Sequence, residues 1–176
     1  ENLVAGSTVF TPTPQPVKLD NYFQWWNYVK GANWRHPTGP DSDLKGKEKF
    51  PVVQIAYEDA AAYAKWAGKR LPSEAEWEKG ARGSQGREFP WGETFNPTRA
   101  NVGADATPGL MPVGSFKEGQ SPYGVADLAG NAWEWVEDWF GAYAGTAETD
   151  PKGPASGDGK VVRGGCFGDN LRYQRS

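Results

Sequence analysis

The residues of this chain that could carry redox or metal chemistry are few. Its 176 residues include one histidine, His36, and one cysteine, Cys166. A histidine-based iron or zinc site, a thiolate zinc ribbon and an intramolecular disulfide each need at least two such residues. No serine and acid partner for His36 can be identified, so a hydrolase triad has no support, and His36 is read as a hydrogen-bonded structural residue. Metal binding in this chain must therefore rest on oxygen ligands.

Composition and charge exclude further classes of protein. The 19 Lys and Arg against 22 Asp and Glu give a net charge of -3, which provides no basic footprint for nucleic acid. No stretch approaches the roughly 18 apolar residues of a membrane span, and ENLVAGSTVF at the start lacks the features of a signal peptide. The 23 Gly, 14 Pro and 14% aromatic residues predict a single loop-rich domain rather than a helical bundle.

The first 50 residues are predicted to be irregular, because prolines punctuate them and remove ladder donors. This region contains a dense group of aromatic residues: Tyr22, Phe23, Trp25, Trp26, Tyr28 and Trp34. Such a group favours a loop-borne part of the core, with an exposed ligand platform as the alternative. The apolar run PVVQIA at 51–56 then predicts a short strand.

Two helices are predicted after this strand. Residues 57–69 are Ala-rich with apolar residues at helical spacing, and Gly68 stands where a C-terminal cap is expected. Ser73 and Glu76 then have the spacing of a capping box, in which each side chain bonds to the other residue's amide. A second helix is therefore expected over about 74–82.

Five sequence segments, taken in order, resemble the formylglycine-generating enzyme (sulfatase-modifying factor) family. They are KGANWRHPTGPDS (30–42), FPVVQIAYEDAAAYAKWAGKRLPSEAEWEKGARG (50–83), FPWGE (89–93), SPYGVADLAGNAWEWVEDWF (121–140) and VVRGG (161–165). The resemblance implies one largely irregular α+β domain over 1–176, related to the C-type lectin fold, with two helices and short strands. It also implies that the family's N-terminal segment and closing strand are missing from these residues.

The family's chemistry depends on two cysteines. Its enzymes oxidise a Cys or Ser of a sulfatase to formylglycine, and the aerobic type holds copper between two thiolates, which are soft ligands suited to Cu(I). An ungapped match places Asp169 and Gln174 where the pair would stand, with Cys166 three positions before Asp169. A rival match, which deletes about four residues, aligns Arg172 and Tyr173 instead. Copper is not expected, because one cysteine cannot supply both ligands.

The gap-free match resembles the branch of the family that lacks the cysteine pair. This branch includes proteins of siderophore chromophore maturation, accessory proteins of nitrogen-oxide reductases, ligand-binding variable proteins and sulfur-adding iron enzymes. The iron enzymes use a histidine triad, which this chain cannot form from His36 alone.

The resemblance also implies two calcium sites. Calcium takes about six to eight hard oxygens, and loops of Asp, Asn and Gly supply them. Spacing alone leaves turn capping open as the other role for such residues. The two implied ligand sets are Asn101, Val102, Asp105 and Thr107, and Asp127, Gly130, Ala132 and Glu134. Bound calcium is expected to hold loops together rather than to act in catalysis.

Three residues match positions near the family's active site. They are Cys166, Trp133 and Asp169. Each has a structural alternative, since Trp133 is equally suited to the core and an unpaired cysteine is commonly buried. A reactive Cys166 needs access and a lowered pKa.

Two classes of function follow. The first is a diverged, copper-less pseudoenzyme that binds a peptide or small ligand, or assists a partner's maturation. The second is an oxygen-dependent oxidoreductase that performs a siderophore-type or side-chain oxidation with Cys166, Trp133 or Asp169. Family members are often exported, and the calcium available outside the cytoplasm favours an exported protein.

Overall fold

In the part of the chain that the structure describes, the regular elements are two antiparallel pairs of strands, two α-helices and short 3-10 turns. The computed structural model describes residues 4–18, 21–102 and 109–169. The chain divides into two compact units, Glu1–Ala56 and Tyr57–Ser176, and each contains one pair of strands. Both helices and all the predicted metal ligands belong to the second unit.

The first unit contains strands β1 (Gly6–Phe10) and β2 (Trp26–Lys30), which pair from Gly6↔Lys30 to Phe10↔Trp26. The paired rings of Phe10 and Trp26 pack edge to face, with their centroids 5.6 Å apart. The expectation of a wholly irregular region is wrong here, because strands about 20 residues apart supply each other's hydrogen bonds.

The predicted strand at 51–56 does not form. Gln54 has a φ of 58°, in the left-handed region that interrupts an extended chain. Its side chain accepts a hydrogen bond from the Ser7 hydroxyl and donates one to the Thr8 carbonyl over 2.9 Å. Side-chain bonds, rather than a strand ladder, therefore attach this segment to β1.

The aromatic group of the first unit is not a buried core. Phe23 is 68% exposed and Tyr28 is 57% exposed, whereas Trp25, Trp26 and Trp34 are half-buried. The preference for core packing is therefore wrong for Phe23 and Tyr28. The ring of Trp34 instead carries the guanidinium of Arg35 at 3.9 Å from its centroid.

Helix α1 (Tyr57–Trp66) opens the second unit. It ends earlier than predicted, because Gly68 takes a φ of 69° and turns the chain. The Gly68 amide donates to the Lys65 carbonyl over 3.0 Å, and the Lys69 amide donates to the Ala64 carbonyl over 2.8 Å. Gly68 therefore terminates the helix as its position indicates.

Helix α2 (Glu74–Arg82) begins at the predicted capping box. The Glu76 amide donates to the Ser73 hydroxyl over 3.2 Å, and the Ser73 amide donates to Glu76 Oε2 over 2.9 Å. Arg70 bonds both oxygens of Glu76, and these contacts lower the pKa of Glu76 to about 2. Asp138 adds a further cap, since its Oδ2 accepts from the Glu74 amide over 2.7 Å.

Strands β3 (Glu134–Trp139) and β4 (Lys160–Arg163) pair beside α2. One buried apolar cluster joins these elements: Trp77, Ala81, Leu128, Val136 and Val161. Glu134 is the first residue of β3, so the packing of β3 in this cluster fixes the position of this predicted ligand. Two helices with short strands confirm the predicted α+β class.

Among the described residues, no helix could cross a bilayer. Helix α1 has ten residues and α2 has nine, and neither has the length or the apolar character of a membrane span.

Candidate metal-binding site

The segment 127–134, called here the junction segment, bonds to two other parts of the second unit. The Gly130 amide donates to the Gly164 carbonyl over 2.7 Å. The Asn131 amide donates to the Asn101 carbonyl over 3.0 Å. The structure therefore places Asn101, from the first predicted set, beside Gly130, from the second.

Gly130 allows this close approach. It is buried with a φ of 75°, and a Cβ there would overlap the Asn101 carbonyl oxygen and the Val102 side chain. A glycine is required both for the left-handed conformation and for the space. The backbone of the junction segment therefore packs directly against Asn101 at Gly130.

Glu134 and Asp127 provide the charged part of the second set. Trp77 Nε1 donates to Glu134 Oε2 over 2.6 Å. Burial raises the pKa of Glu134 to about 7; the Trp77 bond opposes this shift, and the charge of Asp127 adds to it. Asp127 has a φ of 62°, and its Oδ2 accepts from the Gly114 amide over 2.7 Å.

This pair of carboxylates fits a cation. Like charges repel, and the charge of Asp127 adds to the effect of burial in raising the pKa of Glu134. A divalent cation between them would remove that repulsion, and the carbonyls of Gly130 and Ala132 supply uncharged oxygens nearby in the chain. The charge of Asp127 therefore reaches Glu134, and a cation shared by the second set stays a prediction.

Asn101 provides the clearest signal of the first set. The residue is 2% exposed, and its Oδ1 accepts no hydrogen bond within the described residues. Its Nδ2 donates to the Gly109 carbonyl over 2.9 Å and to Asn131 Oδ1 over 3.2 Å. A buried oxygen oriented in this way lacks the partner that such groups usually have, and a hard cation would supply one.

Of the other three residues in the first set, the structure describes only Val102. Val102 is buried directly after Asn101, whereas Asp105 and Thr107 lie outside the described residues. In 4–18, 21–102 and 109–169, no three His, Cys, Asp or Glu side chains gather as a metal site. A cation in this part of the chain would therefore take most of its ligands from amide and carbonyl oxygens, with at most two carboxylates beside them.

Cys166 and Asp169 form a small turn beside the junction segment. The Cys166 amide donates to Asp169 Oδ2 over 2.7 Å, and the Asp169 amide donates to the Cys166 carbonyl over 3.1 Å. Burial raises the pKa of the Cys166 thiol to about 11; a backbone bond from Gly168 opposes the shift, and the charge of Asp169 adds to it. At neutral pH the thiol therefore stays protonated, which is unfavourable for a nucleophile or a metal ligand.

Trp133 lies in the junction segment next to this turn. The Phe167 amide donates to the Asn131 carbonyl over 3.3 Å, which holds the turn against the chain two residues before Trp133. Trp133 is 38% exposed, so part of its ring reaches solvent. The predicted core position is therefore only partly right.

His36 has the structural role predicted for it. Its Nδ1 donates to the Ser42 carbonyl over 2.6 Å within the first unit. The Asn33 side chain accepts from the His36 amide over 3.3 Å. These bonds place His36 in a tight local loop.

Two residues that matter to the site were not predicted to do so. Trp77 lies within the helix predicted over about 74–82, where no sequence pattern gives it a partner, yet it bonds to Glu134 across 57 positions of sequence. Asn131 was not singled out, although it is 3% exposed and bonds to Asn101. The one sequence signal for Asn131 is its place between two predicted ligands, Gly130 and Ala132.

The family model and the relatives found by comparison with known proteins all indicate one family. The family model described as the sulfatase-modifying factor enzyme 1-like domain matches residues 4–176. The formylglycine-generating enzyme of Mus musculus is 44% identical over 158 residues, which cover 81% of this chain and 42% of that protein. The inactive C-alpha-formylglycine-generating enzyme 2 of Bos taurus is 40% identical over 156 residues, covering 82% and 48%. The chain spans less than half the length of either relative.

A solved structure supports the fold. The variable protein 1 of Treponema denticola superposes with a TM-score of 0.66, covering 97% of this chain and 86% of that one. The sequences are 21% identical, so this likeness concerns the fold alone.

Proposed function

The chain belongs to the formylglycine-generating enzyme (sulfatase-modifying factor) family, and on that premise we propose that it is a calcium-stabilised member without copper-dependent thiol oxidation. It binds a peptide or small ligand near Trp133 and Cys166, or assists the maturation of a partner. The observation that carries this proposal is the single cysteine of the 176 residues. The family includes both a protein named as the enzyme and one named as inactive.

Copper does not fit the residues of the Cys166 turn. The family's aerobic reaction needs two thiolates, and Asp169 would offer Cu(I) a hard carboxylate instead. One oxygen of that carboxylate already accepts from the Cys166 amide over 2.7 Å. Gln174, the other position of the ungapped match, lies outside the described residues. No step of the family's copper reaction is therefore assigned to this chain.

Two observations, one at Asn101 and one in the junction segment, support the calcium part of the proposal. Asn101 Oδ1 is a buried acceptor with no donor among the described residues, and Glu134 carries a raised pKa beside Asp127. Bound calcium would supply positive charge that compensates these oxygens and ties their loops together. Such sites fill readily at the millimolar calcium outside cells, in keeping with an exported protein.

The ligand is expected at the exposed part of Trp133. An aromatic side chain that is 38% exposed offers a flat apolar contact beside the backbone of the Cys166 turn. A fluorescently labelled sulfatase-type peptide should bind less tightly to Trp133→Ala than to the original chain. Trp66→Ala is the matched control, because Trp66 is 80% exposed on α1. Equal binding by all three proteins would exclude this surface.

An oxidation assay tests the proposed lack of copper-dependent thiol oxidation. The chain is loaded with Cu(I), mixed with a cysteine-containing sulfatase-type peptide under oxygen, and followed by mass spectrometry. We expect neither stoichiometric copper nor the mass loss that marks formylglycine, and the mouse relative serves as the positive control. Stoichiometric copper together with formylglycine would overturn the proposal.

An oxidoreductase of another kind is the second candidate. The observation that favours it is the turn that joins Cys166 to Asp169 and lies against the chain near Trp133. Oxygen uptake with a catechol-type or peptide substrate, lost in Cys166→Ser and Asp169→Asn, would favour this candidate. No uptake above that of buffer would favour the binding function.

A further inference from the structure

We propose that a cavity of the second unit, called here the Arg99 cleft, binds a small aromatic carboxylate. Residues 91–96 and Arg99 line this cleft, which has a volume of about 330 Å³. That volume is at the lower end of the range of about 300–1,000 Å³ for small-molecule sites. The cleft shares no residue with the junction segment or the Cys166 turn, so this inference stands apart from the function proposed above.

Three aromatic rings form the apolar side of the cleft. Phe89, which is 5% exposed, stacks on Trp91 with centroids 5.5 Å apart and planes 9° apart. The ring of Phe95 lies 5.7 Å from that of Phe89. Trp91 and Phe95 are half-buried and line the cleft. Because Phe89 covers one face of the indole, the accessible part of Trp91 is its other face and its edge, which suit contact with a flat ring.

The indole of Trp91 is held in place without a ligand. Its Nε1 donates to the Thr94 carbonyl over 3.0 Å. The Phe89 amide donates to the Gly92 carbonyl over 2.9 Å, and the Gly92 amide donates to the Phe89 carbonyl over 3.0 Å. These bonds fix the chain on both sides of Trp91. A ligand that binds against a fixed ring loses less free energy in ordering the protein.

Arg99 provides the charged side of the cleft. Its Nε is buried and donates to no described residue. Its Nη2 lies 3.9 Å from Glu118 Oε2, which is too far for a hydrogen bond, and the Glu118 side chain is 80% exposed. An exposed ion pair of this kind contributes little. The planar guanidinium has five N–H donors that match a carboxylate, so an anion in the cleft would meet donors that this pair leaves unused.

The backbone of Arg99 is anchored from two sides. Asn96 Oδ1 accepts from the Thr98 amide over 3.0 Å, and the Arg99 amide donates to the Asn96 carbonyl over 3.1 Å. On the other side, a Cβ added to Gly119 would overlap the Arg99 carbonyl oxygen. The Arg99 side chain therefore starts from a fixed point in the wall of the cleft.

The charges of the cleft favour an anion over a cation. Glu93 also lines the cleft, but it is exposed, and water screens its carboxylate. The Arg99 side chain is 33% exposed, and its Nε is shielded from water. Attraction to a partly desolvated charge is the less screened of the two. A carboxylate at Arg99 with its ring against Trp91 and Phe95 satisfies both sides of the cleft.

The test compares 3-phenylpropanoate with its neutral amide, which has nearly the same shape. Both are titrated against the 176-residue chain by ligand-observed NMR. We expect the carboxylate to bind about tenfold more tightly than the amide, and added salt to reduce the difference. Arg99→Gln removes the charge, and in this variant we expect the two probes to bind equally.

Three further variants make the result specific. Arg99→Lys keeps the charge but not the planar fork, so the carboxylate should bind more weakly than to the original chain while still exceeding the amide. This variant decides the question if Arg99→Gln does not fold. Trp91→Leu should weaken both probes together. Arg35→Gln is the control, because Arg35 lies 3.9 Å from the centroid of the Trp34 ring in the first unit, and it should leave both affinities unchanged.

Four results would overturn the proposal. They are equal binding of the two probes by the original chain, no binding of the carboxylate at its highest soluble concentration, a preference for the carboxylate that persists in Arg99→Gln, and an equal loss of that preference in Arg35→Gln. The calcium and Trp133 tests described above use other residues, so their failure would not affect this result.

Discussion

The junction segment and the Cys166 turn lie side by side in the second unit, and burial has opposite chemical consequences in them. In the junction segment, burial raises the pKa of Glu134 to about 7 beside a second carboxylate, Asp127. In the turn, burial raises the pKa of Cys166 to about 11, and the nearby carboxylate of Asp169 adds to the shift.

The two regions differ in what could offset the free-energy cost of burying their ionisable groups. A cation would compensate the carboxylates and oxygens of the junction segment, whereas the Cys166 thiol avoids the cost of a buried charge by staying protonated, a state that is neither a good nucleophile nor a good metal ligand. On the function proposed above, the junction segment keeps a metal-binding role in this chain, whereas the Cys166 turn does not keep the family's oxidation.

Gly130→Ala should give the largest effect, because it attacks the junction segment directly. An added Cβ meets Asn101 and Val102 at a φ of 75°, so we expect a loss of about 3 kcal/mol of stability in urea unfolding. Gly124→Ala is the matched control, since Gly124 has a φ of 76° but no atom within 4 Å of the added Cβ. It should lose about 1 kcal/mol. Equal losses would show that contact with Asn101 is unimportant.

Alkylation of Cys166 tests the other region. A shift of the thiol pKa from 9.0 to about 11 reduces the thiolate at pH 8 about a hundredfold. Iodoacetamide labelling, followed by mass spectrometry, should therefore be about a hundredfold slower in the folded chain than in guanidinium chloride. Since the chain has one cysteine, the signal is unambiguous. Equal rates would mean that the turn does not suppress the thiol.

Trp77→Phe tests how much the hydrogen bond from Trp77 to Glu134 contributes to stability. The substitution removes the indole donor at 2.6 Å from a partly buried carboxylate, so we expect a loss of about 2 kcal/mol without calcium. Trp91→Phe removes a bond to a neutral acceptor, the Thr94 carbonyl at 3.0 Å, and should lose about 1 kcal/mol. Urea unfolding of the two variants measures the difference. A smaller loss for Trp77→Phe than for Trp91→Phe would contradict the charge-assisted role of Trp77.

Ser73→Ala tests helix α2 at a position outside both the junction segment and the Cys166 turn. It removes the cap of α2, whose Ser73 hydroxyl accepts from the Glu76 amide. Thermal unfolding should reveal a loss of about 1 kcal/mol, or about 2–4 °C in Tm. Calcium affinity should be unchanged, and a clear fall in that affinity would show that α2 takes part in the metal site.

Glu76→Gln should have the smallest effect and a defined pH dependence. The folded pKa of Glu76 is lowered from 4.5 to about 2, so its stabilisation is present above about pH 4.5 and is lost as pH falls toward 2. Because Glu76 is half exposed, we expect a loss of about 0.5 kcal/mol at pH 7 that narrows below pH 4.5. Glu118→Gln, at a side chain that is 80% exposed, is the control. A difference that grows on acidification would contradict this assignment.

Features set by neighbouring residues could be predicted from the sequence. The capping box depends on residues three positions apart, and both of its bonds form. The end of α1 at Gly68 follows from the freedom of glycine to take a positive φ. The family resemblance added the ligand positions, of which Glu134 has a pKa raised by burial and by the charge of Asp127.

Features that depend on distant partners could not be predicted in this way. The β1 and β2 pairing joins residues about 20 positions apart, and Gln54 ends an otherwise convincing apolar run through a positive φ. The contacts of Glu134 with Trp77 and of Asn101 with Asn131 span 57 and 30 positions. No local sequence pattern predicts such contacts, because they form only when α2, β3 and the junction segment pack together.

Thermal unfolding with and without calcium tests the central claim most directly. The chain is stripped of metal with a chelator, and its Tm is measured against calcium, with magnesium as the control ion. At a calcium concentration about 100 times Kd, binding adds about 2.7 kcal/mol, which corresponds to a rise of roughly 5–10 °C. We expect that rise in the original chain and a much smaller one in Glu134→Gln. A Tm that is the same with chelator and with calcium would contradict the claim that calcium stabilises this fold.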